Sequence, residues 1–329
     1  MLVISVVWRG VFGSLKQAMS LLVLFIIIGT AAVAIVTWPG FGAVFHGLVG
    51  FELPQTPAWA LVDGESSSPW KEILPLLGWA AGGFASQVWY TYWVLGAGYG
   101  MAKDRGYGVP LDAEKLKSLT DEDVKHLQGW RKLVTVDATT AVVLGVVVTL
   151  AFMIAGAGVL GPKQLAPDGP DVALELSHIF GSQWGSIGAG LFVLAGLAAM
   201  LSTMMGQFAG WPRLLADCAR LLFPATKKWS WKVQFRVILL AIASSNMFII
   251  YSLGKEPVKL VQFGAKLDGL LLTPLQAIVV GWVLYKVMPT FFAPEHRKAL
   301  APSPILALGL ASAFVIFGFI CIYKMGEMF

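Results

Sequence analysis

Paired glycines followed by two polar residues lie in the middle of residues 73–101, a stretch apolar enough to cross a membrane. The run reads Gly-Gly-Phe-Ala-Ser-Gln over residues 82–87. In hydrocarbon every backbone N–H and C=O must be hydrogen-bonded, so a broken helix persists only where it lines a cavity. One interpretation is an unwound segment whose freed carbonyls and side chains coordinate a polar substrate; the alternative is close helix packing through small residues. The candidate binding residues are Gly83, Ala85, Ser86 and Gln87.

Charged residues lie inside a second apolar stretch, residues 259–288, and a charge in such a stretch also indicates a functional site. Lys266 and Asp268 are two residues apart, face different directions on a helix and therefore do not form a simple pair. A charge at this depth costs at least about 2.5–3.5 kcal/mol, so it is rarely incidental. Lys266 either serves the substrate pathway or extends its side chain to the outer interface. The short side chain of Asp268 has less reach, which favours a role in the pathway or in coupling, together with Thr273.

Two further polar residues are candidates for the pathway. Asp137 is predicted to begin the third apolar stretch, either as an acidic residue favoured by the positive end of the helix dipole or as a pathway residue. Gln207 ends a polar run in the fourth stretch. The neighbouring Met204 and Met205 are interpreted as packing residues rather than soft-metal ligands.

Seven membrane-spanning helices are predicted to position these residues. Apolar residues make up 57% of the chain and charged residues 13%, with a mean hydropathy of +0.73. A bilayer core needs about 20 mostly apolar residues per helix, and the continuous apolar runs favour helices over a barrel. We therefore expect one all-α transmembrane domain over residues 1–329, with a cytoplasmic loop at 102–133. The predicted spans are 18–38, 73–101, 134–160, 184–210, 237–253, 259–288 and 303–325.

The basic residues predict the orientation of these spans. Of the 24 lysines and arginines, 18 fall on one side of the predicted membrane. The positive-inside rule places that side, with the N-terminus, in the cytoplasm and the C-terminus outside; a bacterial inner membrane is the expected location. No basic stripe suggests nucleic acid, no cofactor motif is present, and no nucleophile, metal or phosphate-binding motif suggests an enzyme.

Four segments, taken in order, resemble the Nramp family of divalent-metal transporters. The segment around Trp38-Pro39-Gly40 and 46–50 is similar to that family's outer loop after helix five, and Asp137-Ala138 is similar to its helix seven. Residues 201–210 are similar to its helix eight, and the region around Pro274 is similar to its helix ten. The resemblance extends over nearly the whole chain. It implies a partial LeuT-type inverted-repeat fold that contains helices five to eleven. The family's first four helices, including the unwound first helix with its Asp-Pro-Gly-Asn motif, would belong to a missing N-terminal half.

The departures from the family bear on the substrate. The Met-Pro-His of family helix six is replaced around Ser86-Gln87-Val88. Without that thioether the preference for soft metals loses its main basis, which is similar to the Nramp-related magnesium-transporter branch. The resemblance implies an N-terminally shortened secondary transporter of Mg²⁺ or Mn²⁺ that works by alternating access, although the helix-six histidines expected for proton symport are missing. The alternatives are a same-fold transporter of a small organic solute such as an amino acid, and a non-transporting membrane scaffold.

Overall fold

A computed structural model describes residues 13–50, 55–61, 68–80, 83–96, 98–100, 111–167, 171–253 and 257–328, together with Ile4, Leu53 and Val109. These residues form helices joined by short turns and include no β-strand. Their α-helices in chain order are α1 (Gly13–Val36), α2 (Phe41–Val49), α3 (Trp70–Ala80), α4 (Phe84–Gly96), α5 (Ala113–Lys117), α6 (Asp121–Leu160), α7 (Val172–Leu222), α8 (Trp231–Leu253), α9 (Pro257–Gly264), α10 (Leu272–Trp282), α11 (Pro294–Leu300) and α12 (Pro304–Met328).

Helices α9 and α10 belong to one helical segment whose winding changes along its length. A π-helix, Ala265–Leu271, connects them. A second π-helix, Val283–Val287, and a 3-10 turn, Met288–Phe291, follow α10. The π-turn bonds residue i to i+5, is wider than an α-turn and occurs frequently at functional sites. Asp268 therefore lies on a widened turn, which the sequence did not indicate.

Long apolar helices show that this is a membrane-embedded protein. The exposed surface of α6 includes Val142, Leu144 and Val146, each more than half exposed, and so large an apolar face is foreign to a soluble monomer. Five described segments are long and apolar enough to cross a bilayer: Asp121–Lys163, Val172–Leu222, Trp231–Ser252, Val258–Phe291 and Pro304–Lys324. Val23–Val36 and Phe41–Val49, bent by 109°, add a sixth if they count as one broken span. The all-α membrane class is confirmed, and the LeuT-type arrangement stays a prediction.

Two predicted segments have different boundaries in the structure. The stretch 73–101 divides into α3 and α4, in agreement with the predicted helix break. The predicted loop 102–133 is shorter, because α6 begins at Asp121. Thr120 and Asp123 form a capping box there: the Asp123 backbone N–H donates to Thr120 Oγ1 at 3.2 Å, and the Thr120 N–H donates to Asp123 Oδ2 at 2.9 Å. Residues 101–108 and 110 lie outside the described residues.

The fourth predicted span, 184–210, begins where α7 is kinked. Trp184 and Gly185 have non-helical backbone angles, and the φ of Gly185 is +59°. The part of α7 before the kink packs Ile179 and Phe180 into an apolar cluster with Val33. This earlier part of the helix contains polar residues such as Glu175 and His178, so the apolar pattern did not reveal it.

The chain divides into two compact units. The first unit comprises residues 1–69, 139–209 and 246–260, and its core surrounds Phe180. The second unit comprises residues 70–138, 210–245 and 261–329, and one of its apolar clusters joins Leu74, Leu270 and Cys321. Every candidate site residue except Gln207 belongs to the second unit.

Candidate functional site

The helix break is centred on Gly83, between the end of α3 at Ala80 and the start of α4 at Phe84. Gly83 is buried and its φ is +52°, in the left-handed region that glycine adopts at little cost. Its carbonyl accepts from the Gln87 N–H at 3.4 Å and from Ser86 Oγ at 3.0 Å. Gly83 therefore turns the chain into α4, and the Ser86 hydroxyl closes the first turn.

The carboxylate of Asp268 lies at this break. Its Oδ1 accepts a hydrogen bond from the Ala85 backbone N–H at 3.0 Å, and its Oδ2 lies where a Cβ on Gly83 would have to be. The first N–H groups of a helix have no partner within the helix, and an acidic group there also gains from the helix dipole. Asp268, which is 183 residues distant in sequence, thus caps α4 from another helix.

Close backbone packing positions Asp268. A Cβ on Gly78 would overlap the Ala265 carbonyl, and a Cβ on Gly269 would overlap the Gly78 backbone, so α3 and the π-helix touch without intervening side chains. Carbonyls of the π-helix find side-chain donors, as hydrocarbon requires. Thr273 Oγ1 donates to the Gly269 carbonyl. The Leu270 carbonyl accepts from Cys321 Sγ at 3.3 Å.

A second polar contact joins the same two helical segments beyond the break. Gln276 Nε2 donates to Gln87 Oε1 at 2.5 Å. The Gln87 side chain is exposed and Gln276 is half-buried. Gln276 was not among the predicted site residues, although an amide in an apolar helix roughly two turns after Asp268 was an available signal.

The possible metal ligands at the break are mainly oxygen atoms. They are the Asp268 carboxylate, the Gln87 amide oxygen, the Ser86 hydroxyl and the last carbonyls of α3, which have no partner within their helix. Oxygen ligands suit hard cations such as Mg²⁺ and Mn²⁺. In the part of the chain that the structure describes, no three His, Cys, Asp or Glu residues form a metal-holding group. A cation at this break would therefore be held by one carboxylate together with neutral oxygens.

Asp137 does not begin a helix, which corrects one of its two predicted roles. It lies 16 residues after the start of α6 at Asp121, too far for the helix dipole to act. Its Oδ2 instead accepts a hydrogen bond from the Tyr90 hydroxyl of α4 at 2.7 Å. The capping box at Thr120 supplies the helix start that the sequence assigned to Asp137.

The other predicted residues divide by location. Lys266 is half-buried in the same π-helix as Asp268. Gln207 is exposed on α7 in the first unit. One carboxylate contact was missed by sequence reasoning: Tyr92 of α4 donates its hydroxyl hydrogen to Asp217 Oδ2 of α7 at 2.7 Å. The structure thus places Gly83 and Ala85 at the Asp268 carboxylate, and connects Asp137 to α4 through Tyr90.

Comparison with known proteins identifies no relative of this chain. The chain matches no protein-family model, no curated protein and no solved structure. The functional argument therefore depends on the residues at the break.

Proposed function

We propose that the protein is a membrane transporter of a hard divalent cation, Mg²⁺ or Mn²⁺, that binds its substrate at the helix break and works by alternating access. The observation that supports this most is the Asp268 carboxylate, which lies at the break in an apolar helical segment. A carboxylate charge inside an apolar membrane helix is expensive even on the most lenient scale, at about 2.5–3.5 kcal/mol, and a bound cation would offset it.

The two halves of the broken helix support a cation in different ways. The N-terminal end of α4 holds the carboxylate, while the C-terminal end of α3 carries the negative end of its dipole and carbonyls that have no donor within their own helix. Mg²⁺ keeps several of its waters and is usually bound through one or two carboxylates. A break that supplies one carboxylate, an amide oxygen and carbonyls fits a partly hydrated ion of this kind.

The same geometry argues against a small organic acid as the substrate. In transporters with broken helices, the positive N-terminus of a half-helix is where the carboxylate of an amino-acid substrate docks. Here Asp268 already occupies that position on α4, through its bond to the Ala85 N–H. An amino acid would have to displace an internal carboxylate, whereas a cation would bind beside it.

Mn²⁺ binding tests the proposal. Free Mn²⁺ has a six-line electron paramagnetic resonance spectrum whose amplitude falls on binding, so titration of the purified protein in lipid nanodiscs gives affinity and stoichiometry. We expect one weak site per chain from which Mg²⁺ displaces Mn²⁺ at least as well as Cd²⁺ does. Binding is the suitable measurement because, in the family that the sequence resembles, further ligands come from helices that precede those matched here.

The variant Asp268→Asn separates ion binding from helix capping. The asparagine oxygen still accepts the Ala85 N–H, so the thermal midpoint should change little, while Mn²⁺ affinity should fall at least tenfold because the charge is lost. Asp123→Asn, which neutralises the carboxylate of the capping box at the start of α6, is the matched control and should bind Mn²⁺ like the unmodified protein. Equal binding by both variants, or displacement of Mn²⁺ by Cd²⁺ far more readily than by Mg²⁺, would contradict the proposal.

A further inference from the structure

The turn between α7 and α8 concentrates positive charge without any negative charge. Residues 218–236 contain five basic residues and no acidic residue. Residues 111–132 differ in their balance of charge, because their five basic residues are interspersed with five acidic ones. Lys117 there pairs with Glu114 at 3.5 Å. The first segment therefore has a net positive charge, and the second has none.

Internal hydrogen bonds fix the shape of this turn. Arg220 Nη1 donates to the Trp229 carbonyl at 3.3 Å and to Gln234 Oε1 at 3.4 Å, and its guanidinium lies 6.0 Å from the centre of the Trp231 ring. Gln234 is buried and its Nε2 donates to the Thr226 carbonyl. These bonds tie the end of α7 to the start of α8, so Arg220 serves the fold of the turn.

The remaining cations of the turn face outward beside apolar side chains. Lys227, Lys228 and Lys232 are exposed. Three of their apolar neighbours are each more than half exposed: Leu222, Phe223 and Trp229. Tryptophan is enriched at membrane–water interfaces, where its amphipathic ring lies at headgroup level.

The position of the turn in the chain defines its environment. It connects Val172–Leu222 and Trp231–Ser252, both long and apolar enough to cross a bilayer. A short connection between two helices that cross the bilayer lies on the headgroup side of one leaflet. An exposed lysine there is suited to a lipid phosphate, and an exposed leucine or phenylalanine beside it is suited to acyl chains.

We infer that the turn of residues 221–232 binds the headgroup of an anionic phospholipid, such as phosphatidylglycerol, in the leaflet on its side of the membrane. Lys227, Lys228 and Lys232 contact the phosphate, and Trp229 packs at the level of the glycerol backbone. The charge complementarity favours an anionic over a zwitterionic lipid. Each lysine near an anionic surface contributes roughly a fivefold factor in affinity, and the attraction weakens with salt.

Native mass spectrometry of the purified protein with equal amounts of phosphatidylglycerol and phosphatidylcholine tests this inference. The unmodified protein should retain more phosphatidylglycerol, and the preference should decline as salt is raised before measurement. The triple variant Lys227→Gln, Lys228→Gln, Lys232→Gln should reduce the preference at least tenfold. The triple variant Lys115→Gln, Lys117→Gln, Lys125→Gln removes the same charge from the balanced segment and should leave the preference unchanged.

A third variant distinguishes charge from folding. Lys227→Arg, Lys228→Arg, Lys232→Arg keeps the positive charge and should keep the preference. The inference is overturned if the unmodified protein shows no preference or one insensitive to salt. Equal losses in both glutamine variants, or a loss in the arginine variant, would overturn it as well.

Discussion

At the scale of single residues, Gly83 and Asp268 depend on each other. The left-handed φ of +52° at Gly83 turns the chain between two helices, and the absent Cβ leaves room for Asp268 Oδ2. Asp268 in turn accepts the Ala85 N–H that the break left without an intrahelical partner. The sequence predicted both residues, because paired glycines and an intramembrane carboxylate are each unusual. It could not predict the hydrogen bond from the Ala85 N–H to Asp268, since contacts 183 residues apart leave no trace in a local pattern.

The substitution Gly83→Ala should destabilise the protein by about 2–4 kcal/mol. A non-glycine residue in the left-handed region costs about 1–2 kcal/mol, and displacement of the Asp268 carboxylate adds the loss of a hydrogen bond to a charged group. Gly100→Ala is the matched control, because Gly100 has a similar φ of +69° and, among the described residues, no atom lies within 4 Å of an added Cβ. Equilibrium unfolding in mixed micelles measures both variants, and equal losses in the two would contradict the contact with Asp268.

At the scale of elements, three carboxylates from three other segments hold α4. Asp268 of the π-helix caps its start, Asp137 of α6 accepts from Tyr90, and Asp217 of α7 accepts from Tyr92. The second half of the broken helix is therefore anchored along its length, although a 13-residue helix has little stability of its own. The paired glycines in the sequence predicted the start of α4. The π-helix and the tyrosine contacts were not predicted, because both arise from tertiary packing rather than from local periodicity.

Removal of one of these tyrosine hydroxyls should loosen α4. Tyr92 is buried, so Tyr92→Phe removes a buried hydroxyl that donates to the Asp217 carboxylate and should cost about 1.5–3 kcal/mol in equilibrium unfolding. Tyr251→Phe removes a hydroxyl from a side chain that is 84% exposed and should change the stability little. If Tyr92→Phe unfolded like Tyr251→Phe, the anchoring of α4 through Asp217 would be refuted.

At the scale of the whole molecule, composition predicted the class and left the boundaries open. Apolar content established a helical membrane protein, and five described segments are long enough to cross a bilayer. The boundary of α6 differed because its first 13 residues are mostly polar and are helical through their capping box and their packing. In that packing, Leu119 and Val124 form an apolar cluster with Phe292. Hydropathy detects only the part of a helix that lies in lipid, so it misses such extensions.

The predicted orientation places the two ends of α6 on opposite sides of the membrane. In a Cys218→Ser, Cys321→Ser background, Lys117→Cys should react with an impermeant maleimide only in inside-out vesicles. Lys163→Cys should react only in right-side-out vesicles, because residues 121–163 cross once. Reaction of both variants on one side would contradict the crossing, and the reversed pattern would contradict the positive-inside assignment.

The position of a bound Mn²⁺ ion tests the proposed transport site most directly. Anomalous diffraction from crystals soaked in Mn²⁺ would locate the ion without reliance on the ligand assignment. The proposal predicts an anomalous peak at the helix break, within about 2.6 Å of a carboxylate oxygen of Asp268. A break without Mn²⁺, with Asp268 still bonded only to the Ala85 N–H while the ion binds elsewhere, would contradict it and leave Asp268 as a helix cap alone.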